Sequence, residues 1–188
     1  MSARIVLLGA PNSGKGTQAA FLAAELGVSA ISTGDMLRSA QDAGTTMGER
    51  VKDVMAAGGL VDDSLMAEII RHRLAEPDAR AGFVLDGYPR TPSQAETLAS
   101  ILAGQRVELD AVISLAVPEV VLIERGLARG RDDDREVVIR ERLRIYRDKT
   151  EPLIGHYRRL GLLREIEGYQ PIEQVTQRIM EAIASGRA

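Results

Sequence analysis

Ile5-Val6-Leu7-Leu8-Gly9-Ala10-Pro11-Asn12-Ser13-Gly14-Lys15-Gly16-Thr17 is the stretch that decides the fold. Four apolar residues without a polar interruption suit a parallel strand covered on both faces. The glycine-rich turn then runs into an alanine-rich segment with helical character. A strand, turn and helix in this order point several backbone N–H groups at one spot, where the helix dipole also favours negative charge. Lys15 adds a point charge within reach of outer phosphates, and Thr17 a hydroxyl near a bound magnesium ion. One residue breaks the usual spacing, because Gly16 stands between the lysine and the threonine.

The 188 residues, 45% of them hydrophobic, are enough for one full core, and one domain is the default. Net charge is -3, and the 24 basic residues, 21 of them arginine, are spread along the chain. With no charged block, no tryptophan, two Phe and four Tyr, little is present to hold or stack a polynucleotide. Arginine also grips phosphate in a bidentate fork, so its positions are judged one by one. Cysteine is absent, which excludes disulfides and thiolate metal sites. The N-terminus runs directly into the first strand, and no run approaches the ~18 apolar residues of a membrane span. The expectation is a soluble cytoplasmic protein.

Outward from the loop, Arg4 to Leu8 reads as the first strand and Gln18 to Leu26 as the continuing helix, ended by Gly27. Val28 to Ile31 reads as a second strand that runs into Ser32-Thr33-Gly34-Asp35-Met36-Leu37-Arg38, where small polar residues open a helix. Thr33 and Arg38 either line a pocket at the carboxyl end of the sheet, or Thr33 or Asp35 is a helix cap and Arg38 a solvated side chain. Residues 39 to 61 hold two short helical patterns broken at Gly44 and at Gly58-Gly59, a small insertion hinged by glycines. A core-facing helix from Ser64 to Ala75 follows, and Pro77 and Asp78 turn the chain.

Phe83-Val84-Leu85-Asp86-Gly87-Tyr88-Pro89-Arg90 is the second informative stretch. Three apolar residues make a buried third strand, and Asp86 at its carboxyl end is placed like the acidic residue that helps hold magnesium in P-loop enzymes. Arg90 would emerge near the phosphates, and the bond before Pro89 is open to either isomer. Thr91-Pro92 starts a helix with Gln94 on its first turn, Asp110 to Leu115 is a fourth strand, and Pro118 opens a helix to Ala128. Arg125 and Arg129 share a face of that helix. The charged loop Gly130-Arg131-Asp132-Asp133-Asp134 leads to a long helix from Arg135 towards Lys149 that carries Arg142 and is bent or ended by Pro152. Four arginines around one short loop beside a phosphate site read as a closing lid. Leu162 to Ile166 is a fifth strand before Gly168, and Gln174 to Ile183 a final amphipathic helix. His72, with an arginine on each side, reads as a surface residue, and His156 as surface or helix packing, since phosphoryl transfer to a phosphate needs no histidine base.

Gly-x-Pro-x-Ser-Gly-Lys-Gly-Thr-Gln from Gly9, Ser32 to Arg38, Asp86 to Arg90 and Arg-x-Asp-Asp from Arg131 together resemble the adenylate kinases, which are nucleoside monophosphate kinases. The resemblance runs from about Arg4 to Ile183, and the extra glycine at Gly16 is what that family shows. It implies an α/β fold of the three-layer P-loop nucleoside triphosphate hydrolase type, with a five-stranded parallel sheet. Residues 1–188 would form one domain, with 32–61 as the nucleoside-monophosphate segment and 126–136 as a short lid.

Carried over residue by residue, Gly9, Ala10, Pro11, Asn12, Ser13, Gly14, Lys15, Gly16 and Thr17 match the cradle for ATP phosphates, and Arg125, Arg129 and Gly168 match other ATP contacts. Thr33, Gly34, Arg38, Val61, Gly87, Arg90, Gln94, Arg131 and Arg142 match the AMP side, with Lys15, Arg90, Arg131 and Arg142 around the transferred phosphoryl group. Asp133 and Asp134 match the pair after the lid arginine, and Thr17 and Asp86 would hold magnesium, partly through water. Implied are reversible phosphoryl transfer from magnesium ATP to AMP giving two ADP, no nucleic-acid or membrane partner, and a monomer.

Two departures stand out. Asn12 occupies a position that is usually glycine in the family, and the lid is very short. The lack of cysteine excludes the cysteine-rich zinc lid of some longer relatives. The nearest alternative is a UMP/CMP kinase of the same architecture, against which Thr33 and Gln94 favour AMP in the family comparison. A non-catalytic ATP-binding sensor is the alternative of another class.

Overall fold

The computed structural model describes residues 3–131 and 134–186. Its strands are β1 (Arg4–Gly9), β2 (Ser29–Ser32), β3 (Phe83–Asp86), β4 (Ala111–Ala116) and β5 (Leu163–Glu167), paired in parallel in the order β2-β3-β1-β4-β5. The helices among the described residues are α1 (Lys15–Leu26), α2 (Thr33–Asp42), α3 (Thr46–Ala56), α4 (Asp63–Leu74), α5 (Pro77–Ala81), α6 (Pro92–Gly104), α7 (Glu119–Arg129), α8 (Glu136–Ile145), α9 (Pro152–Arg159) and α10 (Ile172–Ser185). None is long and apolar enough to cross a membrane.

The unbroken apolar run of β1 serves two cores. Ile5 and Leu7 pack with Val84 and Ile113 under Leu22 of α1 and Ile179 and Ile183 of α10. Val6 and Leu8 face the other way, packing with Phe83, Leu85 and Val112 under α4, α6 and α9. This alternation gives three layers, helix on sheet on helix. The chain goes to one side of β1 for β2 and β3 and to the other for β4 and β5. The carboxyl end of β1 is therefore a topological switch point, where open α/β sheets bind ligands. Register sharpens this, since Leu7 and Ser32 both pair with Asp86. The phosphate loop, the start of α2 and the end of β3 leave the sheet side by side.

Several elements differ from the sequence reading. Pro77 does more than turn the chain, because it opens the short helix α5 at a position that needs no N–H donor. The cap of α2 is Ser32, whose Oγ accepts from Asp35 N at 3.2 Å, so neither Thr33 nor Asp35 has that task. The long helix expected after Arg135 ends at Ile145, and a π-helical turn over Tyr146–Thr150 leads into α9. Glu151 N donates to Tyr146 O at 2.9 Å, one residue further back than an α-helix allows. The Tyr88–Pro89 bond is cis.

Candidate active site

The loop after β1 leaves no room for side chains at Gly9. Its φ is 145°, and a Cβ there would stand 2.8 Å from Ser13 Oγ and 3.0 Å from Leu115 O. Lys15 Nζ donates to Gly9 O and Ala10 O, each at 2.9 Å, which fixes the ammonium over the loop. Burial lowers the Lys15 pKa, Asp86 opposes that shift, and Arg90 and Arg129 add to it. No acidic residue occupies the first turn of α1 itself.

Thr17 is exposed on that turn and Asp86 is half-buried at the end of β3. The two elements lie close, since a Cβ on Gly16 would be 3.6 Å from Asp86 Oδ2. Both residues line the same cavity. Among the described residues, no group of three or more His, Cys, Asp or Glu forms a metal cage. A carboxylate and a hydroxyl suit a hard ion that shares its remaining ligands with phosphates and water, so the donors fit magnesium.

Across the cavity, Thr33 is buried and its Oγ1 donates to Asp86 O at 3.3 Å. Gly87 has φ 87°, and a Cβ on it would be 2.4 Å from Thr33 Oγ1. Arg90 is held at three points. Its Nε donates to Gly87 O at 2.8 Å, its backbone N to Gln94 Oε1 at 2.7 Å, and its carbonyl accepts from Thr150 Oγ1 at 2.8 Å. Gln94 is itself fixed, its Nε2 donating to Asp63 Oδ1 at 2.7 Å. Burial lowers the Arg90 pKa, Asp86 opposes this, and Arg142 and Arg38 reinforce it. Arg38 Nη2 donates to Asp35 Oδ1 at 2.5 Å.

The third wall comes from α7 and α8. Arg125 reaches Ser13 O and Gly168 O, each at 3.5 Å, and lies over the Tyr169 ring, 5.9 Å from its centroid. Arg129 pairs with Asp134 through Nε at 2.9 Å and Nη2 at 2.5 Å. Asp134 Oδ2 also accepts from Arg131 N at 3.0 Å, and Arg142 Nη1 stands 3.9 Å from Oδ1. Burial raises the Asp134 pKa, but the Arg129 hydrogen bonds, the Arg131 N–H and the charges of Arg129 and Arg142 outweigh it and hold the carboxyl below its usual range. Arg131 Nη2 lies 3.9 Å from Asp35 Oδ1, so this short loop faces α2. Asp133 lies outside the described residues.

These walls enclose one cavity of about 760 Å³. Of the residues expected to bind ATP, AMP or magnesium, all but Ala10 line it. Its side chain packs with Leu122, Ile139 and Leu143, and it contributes through its carbonyl. Sequence reasoning named Asp134 only as one of the pair after Arg131 and not as the carboxylate shared by Arg129, Arg131 and Arg142, and it missed Asp63 behind Gln94 and Thr150 behind Arg90. The only signal for Thr150 was Pro152 two residues on, where a regular helix has to change. The sequence offers Asp35 as a cap, whereas its carboxylate faces Arg38 and Arg131.

The adenylate kinase family model matches residues 7–162. The chain is similar to the adenylate kinase of Nocardia farcinica, 47% identical over 180 residues, covering 96% of this chain and 98% of that protein. It is likewise 47% identical to that of Thermobifida fusca over 186 residues, covering 97% and 98% of the two chains. A Synechococcus adenylate kinase matches at 47% over 184 residues, 98% of this chain and all of the relative. A match over most of the chain, on a sheet whose switch point carries the phosphate loop, means that this chain belongs to the adenylate kinase family.

Proposed function

We propose that this chain transfers the terminal phosphoryl group of magnesium ATP to AMP, reversibly giving two ADP. The observation that carries this is electrostatic. Lys15 is under the charge of Arg90 and Arg129, and Arg90 under that of Arg142 and Arg38, with Asp86 the acid that opposes the shift in both. Even with Asp35, Asp86 and Asp134 beside them, the cations lining this cavity repel each other, and two anionic nucleotides relieve that repulsion.

In this reading ATP phosphates lie on the loop from Gly9 to Thr17, with Arg125, Arg129 and Gly168 around the rest of the donor. AMP lies against Thr33, Gly34, Arg38, Val61, Gly87 and Gln94, within the 32–61 segment and the wall after β3. Lys15, Arg90, Arg131 and Arg142 meet the phosphoryl group in flight. The chemistry needs no acid or base beyond the substrates. It needs alignment, and positive charge where the equatorial oxygens gain negative charge. Thr17 and Asp86 would hold magnesium, which would supply positive charge to the phosphate groups when bound. The 126–136 segment acts as the lid that excludes water. One chain supplies every proposed contact, which supports a monomer, and the substrates support a cytoplasmic location.

The test is ADP formation from ATP and AMP with magnesium, beside Lys15→Ala. Loss of about 10²–10³-fold in kcat/KM is expected in the variant, the usual cost of one oxyanion-stabilising donor. No ADP from the unaltered chain would overturn the reading. A rate series with AMP, UMP, CMP and GMP checks the acceptor, and a pyrimidine preference would make it a UMP/CMP kinase. ATP binding without turnover would make it a sensor.

A further inference from the structure

We propose that Asn12 is a positioning residue that ties the phosphate loop to α7, with Gly126 as the space that admits it. The proposal rests on the reading of this loop as the ATP site. Asn12 has φ 67°, a left-handed backbone that asparagine tolerates better than most residues. From that backbone its Nδ2 donates to Leu122 O in α7 at 3.0 Å, a bond that spans 110 positions of sequence. A carbonyl accepts only from the amide nitrogen, so the partner fixes which way the amide points.

Gly126 lies one turn after Leu122, and the fit is close. A Cβ on Gly126 would be 2.4 Å from Asn12 Nδ2 and 2.7 Å from Ile139 Cδ1. The next loop residue is joined to the same helix, because Ser13 O accepts from Arg125 at 3.5 Å. One turn further, α7 ends at Arg129 and the lid begins. Displacing α7 from the loop therefore means breaking the Asn12 bond, so the tether acts on the ATP side of the cavity and leaves the AMP wall alone.

Asn12→Gly tolerates the left-handed backbone and removes the side chain that makes the bond. Loss of one net hydrogen bond predicts an ATP KM raised about fivefold, an unchanged AMP KM, and faster amide hydrogen exchange across residues 119–129. Gly126→Ala probes the other side. Helix propensity alone predicts a higher Tm for that change, whereas the tether predicts a lower Tm and a higher ATP KM, partly relieved when Asn12→Gly is added.

An active Asn12→Gly enzyme with unchanged ATP KM and unchanged exchange in α7 overturns the proposal, as does a higher Tm in Gly126→Ala. If the unaltered chain forms no ADP, the functional reading fails instead, and the exchange and Tm results still decide the tether.

Discussion

Asp134 accepts both hydrogen bonds of the Arg129 guanidinium, Nε on Oδ2 at 2.9 Å and Nη2 on Oδ1 at 2.5 Å. With its side chain 2% exposed, it also takes the Arg131 N–H and stands 3.9 Å from Arg142. One carboxylate thus ties together the end of α7, Arg131 and α8. Asp134→Asn keeps the shape and removes the charge, and an amide oxygen and nitrogen cannot both accept from Arg129. A stability loss of about 1–3 kcal/mol is expected by denaturant unfolding, with kcat reduced because Arg129 and Arg142 lose their common anchor. Unchanged stability would mean that the pair is only a surface contact.

The same carboxylate sets a pH dependence. Its folded pKa lies below the usual carboxylate value. Its contribution is therefore complete above the unfolded pKa of about 3.9 and is lost as pH falls through the lower folded value. The stability gap between the unaltered chain and Asp134→Asn should stay constant from neutral pH down to about 5 and narrow in the acid range below about 4. Unfolding curves at a series of pH values measure it, and a gap that widens with acid would contradict the sign.

Thr150 is the buried residue of the π-helical turn, and its hydroxyl donates to Arg90 O at 2.8 Å. Thr150→Val preserves volume and leaves that carbonyl without its donor, at a cost of about 1–3 kcal/mol. Because Arg90 is proposed to meet the phosphoryl group, kcat should fall more than either KM rises. A variant that loses stability but keeps kcat would limit Thr150 to a structural task.

Much of this was legible in the sequence, for a physical reason. A phosphate site needs a buried strand, glycines and a lysine at fixed local spacing, so Gly9 to Thr17 announced both the central strand and the switch point. Asp86 and Arg90 were legible because they follow a short apolar strand. Asp134 was not, because its value lies in the distance between α7 and α8 and in three arginines reaching one carboxylate. The π-helical turn escaped for a similar reason. Periodicity continued through Tyr146, and only packing against Arg90 reveals where the extra residue goes. Asn12 is legible in the sequence only as a departure from the family pattern, because its neighbours Leu122 and Gly126 lie far along the chain.

Gly87 offers a test of the AMP wall. Its φ of 87° is disfavoured for any side chain, and a Cβ would press 2.4 Å from Thr33 Oγ1 and 3.3 Å from Arg90 Nη2. Gly87→Ala should cost about 1–3 kcal/mol from backbone strain alone. The displaced neighbours are both on the proposed acceptor side, so AMP KM should rise more than ATP KM. Equal changes in the two would place Gly87 in the common scaffold.

Arg131 separates catalysis from stability most cleanly. Its side chain is 40% exposed, and the bond that anchors its loop is made by its backbone N–H to Asp134, which alanine retains. Arg131→Ala should therefore leave Tm nearly unchanged, within about 0.5 kcal/mol as for other surface changes. If the guanidinium closes over the phosphoryl group, kcat with both substrates saturating should fall about 10²–10³-fold. ATP hydrolysis without AMP should rise relative to transfer, because the lid then seals less well against water. Initial rates of ADP formation with and without AMP measure both quantities in one assay. A saturated kcat equal to that of the unaltered chain would remove Arg131 from the reacting centre and leave Arg142 and Arg90 to carry the charge.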